Sequence, residues 1–263
     1  MTCPMNASHP ARPLQRWARR SCVLLLLVVA LPLRAAELTV SAAASLGNAF
    51  RDIGAAFEAA HPDLEVMLNF APSDALLQQL GAGAPIDVLA TADQETMNKA
   101  VARKLVDAAT RRDFAGNTLV VVTPTDSTLT LASLADLAQP AVKRIALGNP
   151  AGVPAGRYAR RALEQAGLWP LPANKAIYAQ SVRQALDYVA RGEVEAGLVY
   201  ATDARMHADK VKLAFTVPMA QTIAYPLAVT ADSRNAEYAA QFLAFVASPA
   251  GQAILARFGF KAP

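Results

Sequence analysis

Short strand-like runs alternate with helix-like stretches along the sequence from Glu37 onward. Between Leu38 and Ala42 every second residue is apolar, as in a half-buried strand, and from Leu46 the apolar residues recur at helical spacing. Strands that alternate with helices build mainly parallel sheets with helices on both faces, so the sequence predicts an α/β protein. Further strands are predicted at Leu64–Phe70, Ile86–Thr91, Leu119–Thr123, Arg144–Gly148, Ala176–Ala179, Gly197–Tyr200, Val211–Val217 and Thr222–Thr230.

The number of strand–helix units is too large for one comfortable sheet in a chain of 263 residues. No repeat, low-complexity tract or flexible linker divides the sequence into two halves. We therefore expect two lobes joined by strands that cross between them near Val122 and near Tyr225. The predicted organisation is a signal peptide at 1–36, a first lobe built from 37–122 and 226–263, and a second lobe at 123–225.

The first 36 residues have the composition of a secretory signal peptide. They contain five arginines, no acidic residue, the apolar run Val23–Leu33 and small residues before Glu37. We expect cleavage near Ala35 or Ala36, and export of the rest of the chain. Removal of this segment changes the net charge from +4 to −1, with 20 basic and 21 acidic residues left. The charge therefore gives no reason to expect binding to nucleic acid or to a membrane surface.

The composition of the expected exported chain argues against most hydrolytic and metal-dependent chemistry. Both cysteines, Cys3 and Cys22, fall within the predicted signal peptide, which leaves no disulfide, thiol nucleophile or cysteine-based metal site. Of the three histidines only His61 and His207 remain, and they are far apart in the sequence.

Four predicted strand–helix junctions share the features of an anion-binding site. Ser45 and Ser73 are interpreted as N-caps of helices that follow two strands of the first lobe. In the second lobe, Pro154 marks a helical turn that leaves the N–H of Ala155 free, and a similar junction leaves the N–H of Val182 free. Loops at the carboxyl ends of strands line the ligand crevice of open α/β sheets. We therefore expect these helix starts to face each other across a cleft and to hold a compact anion.

A site of this kind consists of neutral donors and needs no lysine or arginine. It admits only a fully deprotonated oxyanion, because a bound O–H group would meet another donor. Arg157 and Arg183, which follow two of the helix starts, are interpreted as exposed or interlobe residues rather than as ligand contacts. Asp203 is expected to cap a helix, since a carboxylate beside the ligand would repel it, and Asp87 and Asp93 are expected to be structural.

Seven motifs, spread in order over nearly the whole chain after residue 36, resemble the family of periplasmic molybdate-binding proteins of bacterial ABC importers. The combination of AAASL, VPAG and VY-x-x-DA is specific for this resemblance, whereas each motif alone is weak. One departure is Pro72, where the family more often has a small polar residue. The motifs are AAASL at 42–46, FAPS at 70–73, APIDVLATAD at 84–93, GNP-x-x-VPAG-x-Y at 148–158, SVRQAL at 181–186, GLVYATDA at 197–204 and RFGF at 257–260.

The resemblance implies a two-lobed type II periplasmic-binding-protein fold with two crossover strands. It also implies a non-enzymatic protein that binds molybdate, and tungstate as well, and delivers it to an inner-membrane ABC permease. No cofactor is expected, the metal being bound only as its oxyanion, and the protein is expected to be a periplasmic monomer. By position, the ligand donors are the hydroxyls of Ser45, Ser73 and Tyr200 and the N–H groups of Ala155 and Val182. Tyr200 enters this set through the resemblance alone.

Other interpretations of these residues remain open at the level of the sequence. Ser45 and Ser73 could be ordinary N-caps without a ligand, and Tyr200 could be a half-buried core tyrosine. A receptor for sulfate or phosphate would use the same donors, and the sequence does not reveal the cavity size that separates these anions. A more remote alternative is an exported serine hydrolase with Ser45 or Ser73 as nucleophile, although no motif supplies the base that such a serine needs.

Overall fold

The computed structural model describes residues 36–263, so the predicted signal peptide lies outside the described residues except for Ala36. Ten strands and eight α-helices are assigned in this part of the chain. The strands are β1 (Ala36–Ala43), β2 (Leu64–Ala71), β3 (Val88–Ala90), β4 (Arg112–Asn117), β5 (Leu119–Pro124), β6 (Ile145–Gly148), β7 (Ala176–Ala179), β8 (Ala196–Tyr200), β9 (Val211–Thr216) and β10 (Ile223–Val229). The helices are α1 (Gly47–Ala60), α2 (Ser73–Gly81), α3 (Gln94–Ala102), α4 (Pro154–Gln165), α5 (Val182–Ala190), α6 (Ala201–Met206), α7 (Ala236–Ala247) and α8 (Pro249–Arg257).

The strands form two five-stranded mixed sheets of matching design. The first sheet has the order β2-β1-β3-β10-β4, in which β1 runs parallel to β2 and β3 while β10 runs antiparallel to β3 and β4. The second has the order β7-β6-β8-β5-β9, with β6 parallel to β7 and β8 and with β5 antiparallel to β8 and β9. We call the first sheet with α1–α3, α7 and α8 the first lobe, and the second sheet with α4–α6 the second lobe. The predicted two-lobed α/β fold is confirmed.

The chain passes between the sheets twice. It leaves the first sheet at the end of β4 and enters the second at β5 after the single residue Thr118. It returns between the end of β9 and the start of β10. Val122 lies within β5 and Tyr225 within β10, so both expected crossing positions fall just after a change of sheet. The division into domains with the boundaries given above stays a prediction.

The interior follows the apolar periodicity of the sequence. The apolar residues Leu38, Val40 and Ala42 of β1 are fully buried, and the apolar stripe of α1, which contains Phe50 and Ile53, packs against the same core. Continuous apolar strands such as β5 and β8 are buried along their whole apolar length, as expected of strands covered on both faces. Within residues 36–263 no single helix is long and apolar enough to cross a lipid bilayer; α7 and α8 reach that length only together, at a bend of 62°.

Candidate functional site

A small cavity lies where the two lobes meet. Its walls come from segments that follow the carboxyl ends of the three parallel strands of each sheet: β1, β2 and β3 in the first lobe, and β6, β7 and β8 in the second. No lysine, arginine, histidine or carboxylate side chain of the described residues lines it. The lining residues are Ala43, Ala44, Ser45, Pro72, Ser73, Ala92, Val153, Pro154, Ala155, Ser181, Val182 and Tyr200.

All five residues predicted as ligand donors therefore lie around one cavity. Ser45 and Ser73 belong to the first lobe, and Ala155, Val182 and Tyr200 belong to the second. Their convergence is a consequence of the matching sheets, because equivalent ends of parallel strands meet at one edge of each sheet. Whether these residues contact a ligand stays a prediction.

The two serines do not cap helices, so their interpretation as N-caps is wrong. Ser45 lies in the middle of a short 3-10 turn, Ala44–Leu46, and α1 begins after Leu46. Ser73 is the first residue of α2, and Pro72 occupies the N-cap position without a side chain that can accept a hydrogen bond. For Ser73, the physical reason is that Pro72 brings the chain into α2 in an extended conformation one residue earlier than expected. For Ser45, it is the 3-10 turn that lies between β1 and α1. The serine hydroxyls are thereby left for other partners.

Each serine oxygen is held by a group of the first lobe. The backbone N–H of Ala92 donates to Ser73 Oγ at 3.0 Å. Ser45 Oγ lies 3.1 Å from the hydroxyl of Tyr225, which in turn accepts a hydrogen bond from Asn117 Nδ2 at 3.0 Å. Both serines are buried, so each has a fixed side-chain position at the wall of the cavity.

The second lobe presents two backbone N–H groups at helix starts. Ala155 is the second residue of α4, after Pro154, and Val182 is the first residue of α5. Within residues 36–263 neither N–H has a hydrogen-bond acceptor, as expected for the first turn of a helix. Ser181 is the N-cap of α5, and its hydroxyl accepts from the N–H of Gln184 at 3.1 Å, so the N–H of Val182 is left free. The positive end of each helix dipole therefore faces the cavity.

Tyr200 brings a phenol to the cavity from the end of β8. Its hydroxyl donates to the carbonyl oxygen of Ala92 in the first lobe over a long distance of 3.4 Å. Burial raises the pKa of Tyr200 well above its ordinary value, and the neighbouring Tyr225 acts in the same direction. The phenol therefore stays protonated and is a neutral donor at physiological pH.

The lobes are joined beside the cavity by a buried ion-pair cluster around Arg157. From α4 in the second lobe, its guanidinium reaches Asp93 at 2.7 Å and Asp74 at 2.9 Å, both in the first lobe, and donates to Thr96 Oγ1 at 2.8 Å. Of the two alternatives for Arg157, exposed or interlobe, the second is confirmed, because the residue is buried between groups of both lobes. Asp93 also caps α3 by accepting from the N–H of Thr96 at 3.1 Å, which is the structural role expected of it.

A second interlobe contact is made by Arg183. Its Nη2 donates to the carbonyl oxygen of Ser45 at 3.1 Å, and its Nε lies 2.6 Å from Asp203 Oδ1. Asp203 is fully buried, and burial raises its pKa to about 6 although Arg183 opposes the shift. The expectation that Asp203 caps a helix is wrong, because Tyr200 holds the N-cap position of α6 and Asp203 is the third residue within it. Its carboxylate is the partner of Arg183 instead.

The other acidic and basic residues singled out from the sequence lie away from the cavity. Asp87 accepts from the N–H of Thr39 at 2.9 Å and from Ser233 Oγ at 2.7 Å, a structural role as expected. His61 packs against Phe57, and His207 lies 3.8 Å from Asp187. Among residues 36–263, no group of three or more histidine, cysteine or acidic side chains is arranged to hold a metal ion.

Sequence reasoning missed Tyr225 and Asn117 as parts of this site. Tyr225 attracted notice only as a crossing point, and Asn117 not at all. One signal was present: a tyrosine and a proline interrupt the otherwise apolar β10, and the structure has a register shift between Tyr225 and Pro226 at that point. Such bulges are common beside functional sites, where they re-aim side chains.

Two α/β lobes with a donor-lined cavity between the carboxyl ends of their strands define a two-lobed solute-binding protein. A family model described as "Bacterial extracellular solute-binding protein" matches residues 38–261. The chain belongs to this family. The proteins of the family bind and carry solutes rather than catalyse reactions.

Named relatives narrow the comparison. The chain is 38% identical over 235 residues to "Molybdate-binding protein ModA" of Escherichia coli, with coverage of 85% of this chain and 88% of the relative. It is 36% identical over 230 residues to the protein of the same name from Mycobacterium tuberculosis, with coverage of 87% and 86%. The resemblance to molybdate-binding proteins inferred from the sequence motifs is thus confirmed.

Solved structures agree with the fold. The chain superposes with a TM-score of 0.68 and 33% identity on the "substrate binding domain of putative molybdenum ABC transporter from Clostridium difficile". The superposition covers 87% of this chain and 99% of that structure. A periplasmic molybdate-binding protein from Azotobacter vinelandii superposes with a TM-score of 0.76 at 23% identity, over 86% of this chain and 99% of that one. The second comparison supports the fold alone.

Proposed function

We propose that the protein binds molybdate, and tungstate in the same way, in the cavity between its lobes and delivers it to an ABC importer. The observation that carries the proposal is the convergence of five uncharged donors from both lobes on one small cavity: Ser45, Ser73, Ala155, Val182 and Tyr200. The names of the relatives, which are molybdate-binding proteins, support the choice of ligand. No cofactor takes part in this proposal.

The chemistry of the donors suits a tetrahedral dianion. Hydrogen bonds from neutral donors to a charged oxygen contribute about 1.5–3 kcal/mol each, which is more than neutral pairs provide. The free N–H groups of Ala155 and Val182 carry the positive ends of two helix dipoles as well, and each adds about 0.3–1 kcal/mol toward an anion. A dianion can therefore be held without a charged side chain in contact with it.

The placement of the donors also couples binding to closure of the cleft. Ser45 and Ser73 lie on the first lobe and the other three donors lie on the second, so only the closed arrangement satisfies all of them. A ligand shifts a conformational equilibrium by its differential affinity for the two states. Bound molybdate thus stabilises the closed form, which is the form an importer would have to distinguish from the open one.

Export to the periplasm, handover to an inner-membrane permease and action as a monomer belong to the same proposal. The description of the family as extracellular supports export, as does the sequence of residues 1–36, which lie outside the described residues apart from Ala36. A C. difficile neighbour named as part of a molybdenum ABC transporter supports the importer.

The serine-hydrolase alternative loses its chemical basis at the two serines. Ser73 Oγ accepts a hydrogen bond from the N–H of Ala92, and Ser45 Oγ is hydrogen-bonded to the phenol of Tyr225. A nucleophilic serine needs a general base, and among the described residues neither hydroxyl contacts a histidine, lysine or carboxylate.

Sulfate and phosphate remain the competing ligands, because they share the charge or the shape of molybdate.

Titration of the purified protein by calorimetry, with molybdate, tungstate and sulfate in turn, tests the proposal. We expect binding of molybdate and tungstate with a dissociation constant in the micromolar range or below, and little competition from excess sulfate. The melting temperature should rise as well, since saturation at 100 times the dissociation constant stabilises a protein by about 2.7 kcal/mol. Tighter binding of sulfate than of molybdate would reassign the ligand, and no heat with any of the three would refute the proposal.

A further inference from the structure

A chain of buried hydrogen bonds behind the cavity begins at Asn117, the last residue of β4. Its Oδ1 accepts from the N–H of Thr118 at 2.8 Å, which fixes the orientation of the amide. The Nδ2 group therefore points the other way, where one hydrogen reaches Thr202 Oγ1 at 2.9 Å and the other reaches the hydroxyl oxygen of Tyr225 at 3.0 Å. Tyr225 thus accepts a hydrogen bond from Asn117.

The direction of the next bond follows from this one. The Tyr225 hydroxyl is fully buried, and among the described residues the acceptor within reach of its own hydrogen is Ser45 Oγ, at 3.1 Å. If Ser45 donated to Tyr225 instead, the buried phenolic hydrogen would have no acceptor, which is costly. Tyr225 is therefore the donor, and the hydrogen of Ser45 is directed away from it, toward the cavity that Ser45 lines.

The ring of Tyr225 is held in a single position by its surroundings. Phe260 and Phe114 pack edge-on against it at centroid distances of 5.5 and 6.4 Å, and Tyr200 contacts it at 5.8 Å. The register shift beside Pro226 sets the direction in which the side chain leaves β10. The phenol is consequently a rigid donor rather than a group that adapts to its partner.

The hydroxyl oxygen of Ser73 also accepts a hydrogen bond from the protein, from a different group. The backbone N–H of Ala92 donates to its oxygen at 3.0 Å, so the hydrogen of Ser73 is also free to point at the cavity. Both serine oxygens therefore accept a hydrogen bond from the protein, which leaves each hydroxyl hydrogen for another acceptor. A serine hydroxyl in solution can donate or accept, but these two are arranged to donate.

We infer that Tyr225, oriented by Asn117, is a positioning residue that fixes Ser45 as a donor and thereby makes the site reject oxyanions that carry a proton. This inference rests on the proposed function, since it concerns the anion cavity. An anion such as hydrogen phosphate has an O–H group that needs an acceptor, whereas molybdate and sulfate have none. Without the phenol of Tyr225, Ser45 could rotate and accept that hydrogen.

The experiment compares the wild-type protein with Tyr225→Phe, Ser45→Ala and the double variant. Affinities for molybdate, sulfate and inorganic phosphate are measured by calorimetry at mildly alkaline pH, where phosphate is mainly the dianion that keeps one proton. Tyr225→Phe should lower the ratio of molybdate to phosphate affinity by about tenfold. The reason is that Ser45 can then rotate and accept a hydrogen bond from the O–H group of phosphate, and one hydrogen bond contributes about that much. In the Ser45→Ala background the same substitution should leave the ratio unchanged, because Tyr225 acts through Ser45.

Two further variants separate positioning from a merely structural role. Asn117→Asp offers Tyr225 an acceptor in place of a donor, so the phenol turns away from Ser45 and the ratio should fall as in Tyr225→Phe. Tyr238→Phe is the matched control, because it removes a phenol that donates to Asp63 at 2.8 Å on an exposed part of the first lobe, and it should leave the ratio unchanged.

The outcomes distinguish this inference from the proposed function. Equal loss of affinity for all anions in Tyr225→Phe, or an unchanged ratio in both Tyr225→Phe and Asn117→Asp, would overturn the inference while molybdate binding by the wild type stands. If the wild type prefers sulfate, the proposed ligand is wrong, and the ratio of sulfate to phosphate tests the inference instead. Wild-type protein that binds none of the three anions would overturn both.

Discussion

The buried Arg157 cluster leads to a sharp prediction about the energy of lobe closure. Arg157 comes from the second lobe, whereas its partners Asp74 and Asp93 belong to the first. Each carboxylate keeps a partner within its own lobe: Asp74 accepts from Thr96 Oγ1 at 2.7 Å, and Asp93 accepts from the N–H of Thr96 at 3.1 Å. Arg157→Met preserves much of the side-chain volume and removes the charge. The two acids then stay in a closed interface without their cation.

The magnitude follows from the burial of the three side chains, whose exposed fractions are 8% for Arg157, 13% for Asp74 and 5% for Asp93. Removal of one partner from a buried ion pair costs about 3–5 kcal/mol, because the remaining charge is left without compensation. In an open form the two carboxylates are hydrated again, so the loss of Arg157 destabilises the closed form but not the open one. Since 1.4 kcal/mol is tenfold in affinity, molybdate should bind at least about 100-fold more weakly to Arg157→Met.

Calorimetry with molybdate measures the effect, and Arg160→Met is the matched control. Arg160 lies in the same helix with 52% of its side chain exposed, paired to Glu164 at 2.7 Å, and exposed pairs of this kind contribute about 0–1 kcal/mol. We expect near wild-type affinity for the control and a near wild-type melting temperature for both variants without ligand. Wild-type affinity in Arg157→Met, or an equal loss in both variants, would refute the reasoning.

Three further predictions concern individual groups of the site. Ser45→Ala and Tyr200→Phe should each weaken molybdate binding by about 1–3 kcal/mol, because a buried charged oxygen then lacks one hydrogen-bond partner. Unchanged affinity in calorimetry would show that these hydroxyls do not face the anion. Val182→Pro should abolish or strongly reduce molybdate binding, because proline has no N–H. The fold should be kept, since proline suits the first helical position after the extended Ser181. Val182→Ala keeps the N–H and should bind molybdate normally. The pKa of Asp203 is raised from 3.8 to about 6, so its protonated form favours folding below about pH 4 and this contribution is lost as the pH rises through 6. Relative to Asp203→Asn, the wild-type free energy of unfolding should fall by up to about 3 kcal/mol across that window in urea titrations, and a constant difference would contradict the assignment.

Much of the fold follows from local information in the sequence. Apolar periodicity distinguishes strands from helices, and the alternation of the two gives the α/β class. The helix starts after β1, β2, β6 and β7 could be found from serine, proline and the end of each apolar run, which brought Ser45, Ser73, Ala155 and Val182 into one hypothesis. Parallel strands then place those helix starts at one edge of each sheet.

The parts that escaped prediction depend on contacts between distant positions. Arg157 meets Asp74 across 83 residues of sequence, and Ser45 meets Tyr225 across 180, so no local pattern reveals either pair. Tyr200 could be selected only through the family resemblance, because a tyrosine at the end of a strand is most often an ordinary core residue. The burial of Asp203 was missed for the same reason, since its partner Arg183 lies in another helix.

The most direct test of the account is the position of molybdenum in crystals grown with molybdate, located by its anomalous scattering. The account predicts one molybdenum atom in the cavity, with oxygens within hydrogen-bond distance of the hydroxyls of Ser45, Ser73 and Tyr200 and of the N–H groups of Ala155 and Val182. Molybdenum bound elsewhere on the chain, or held in the cavity by a lysine or arginine side chain, would contradict the claim that uncharged donors from both lobes bind the anion.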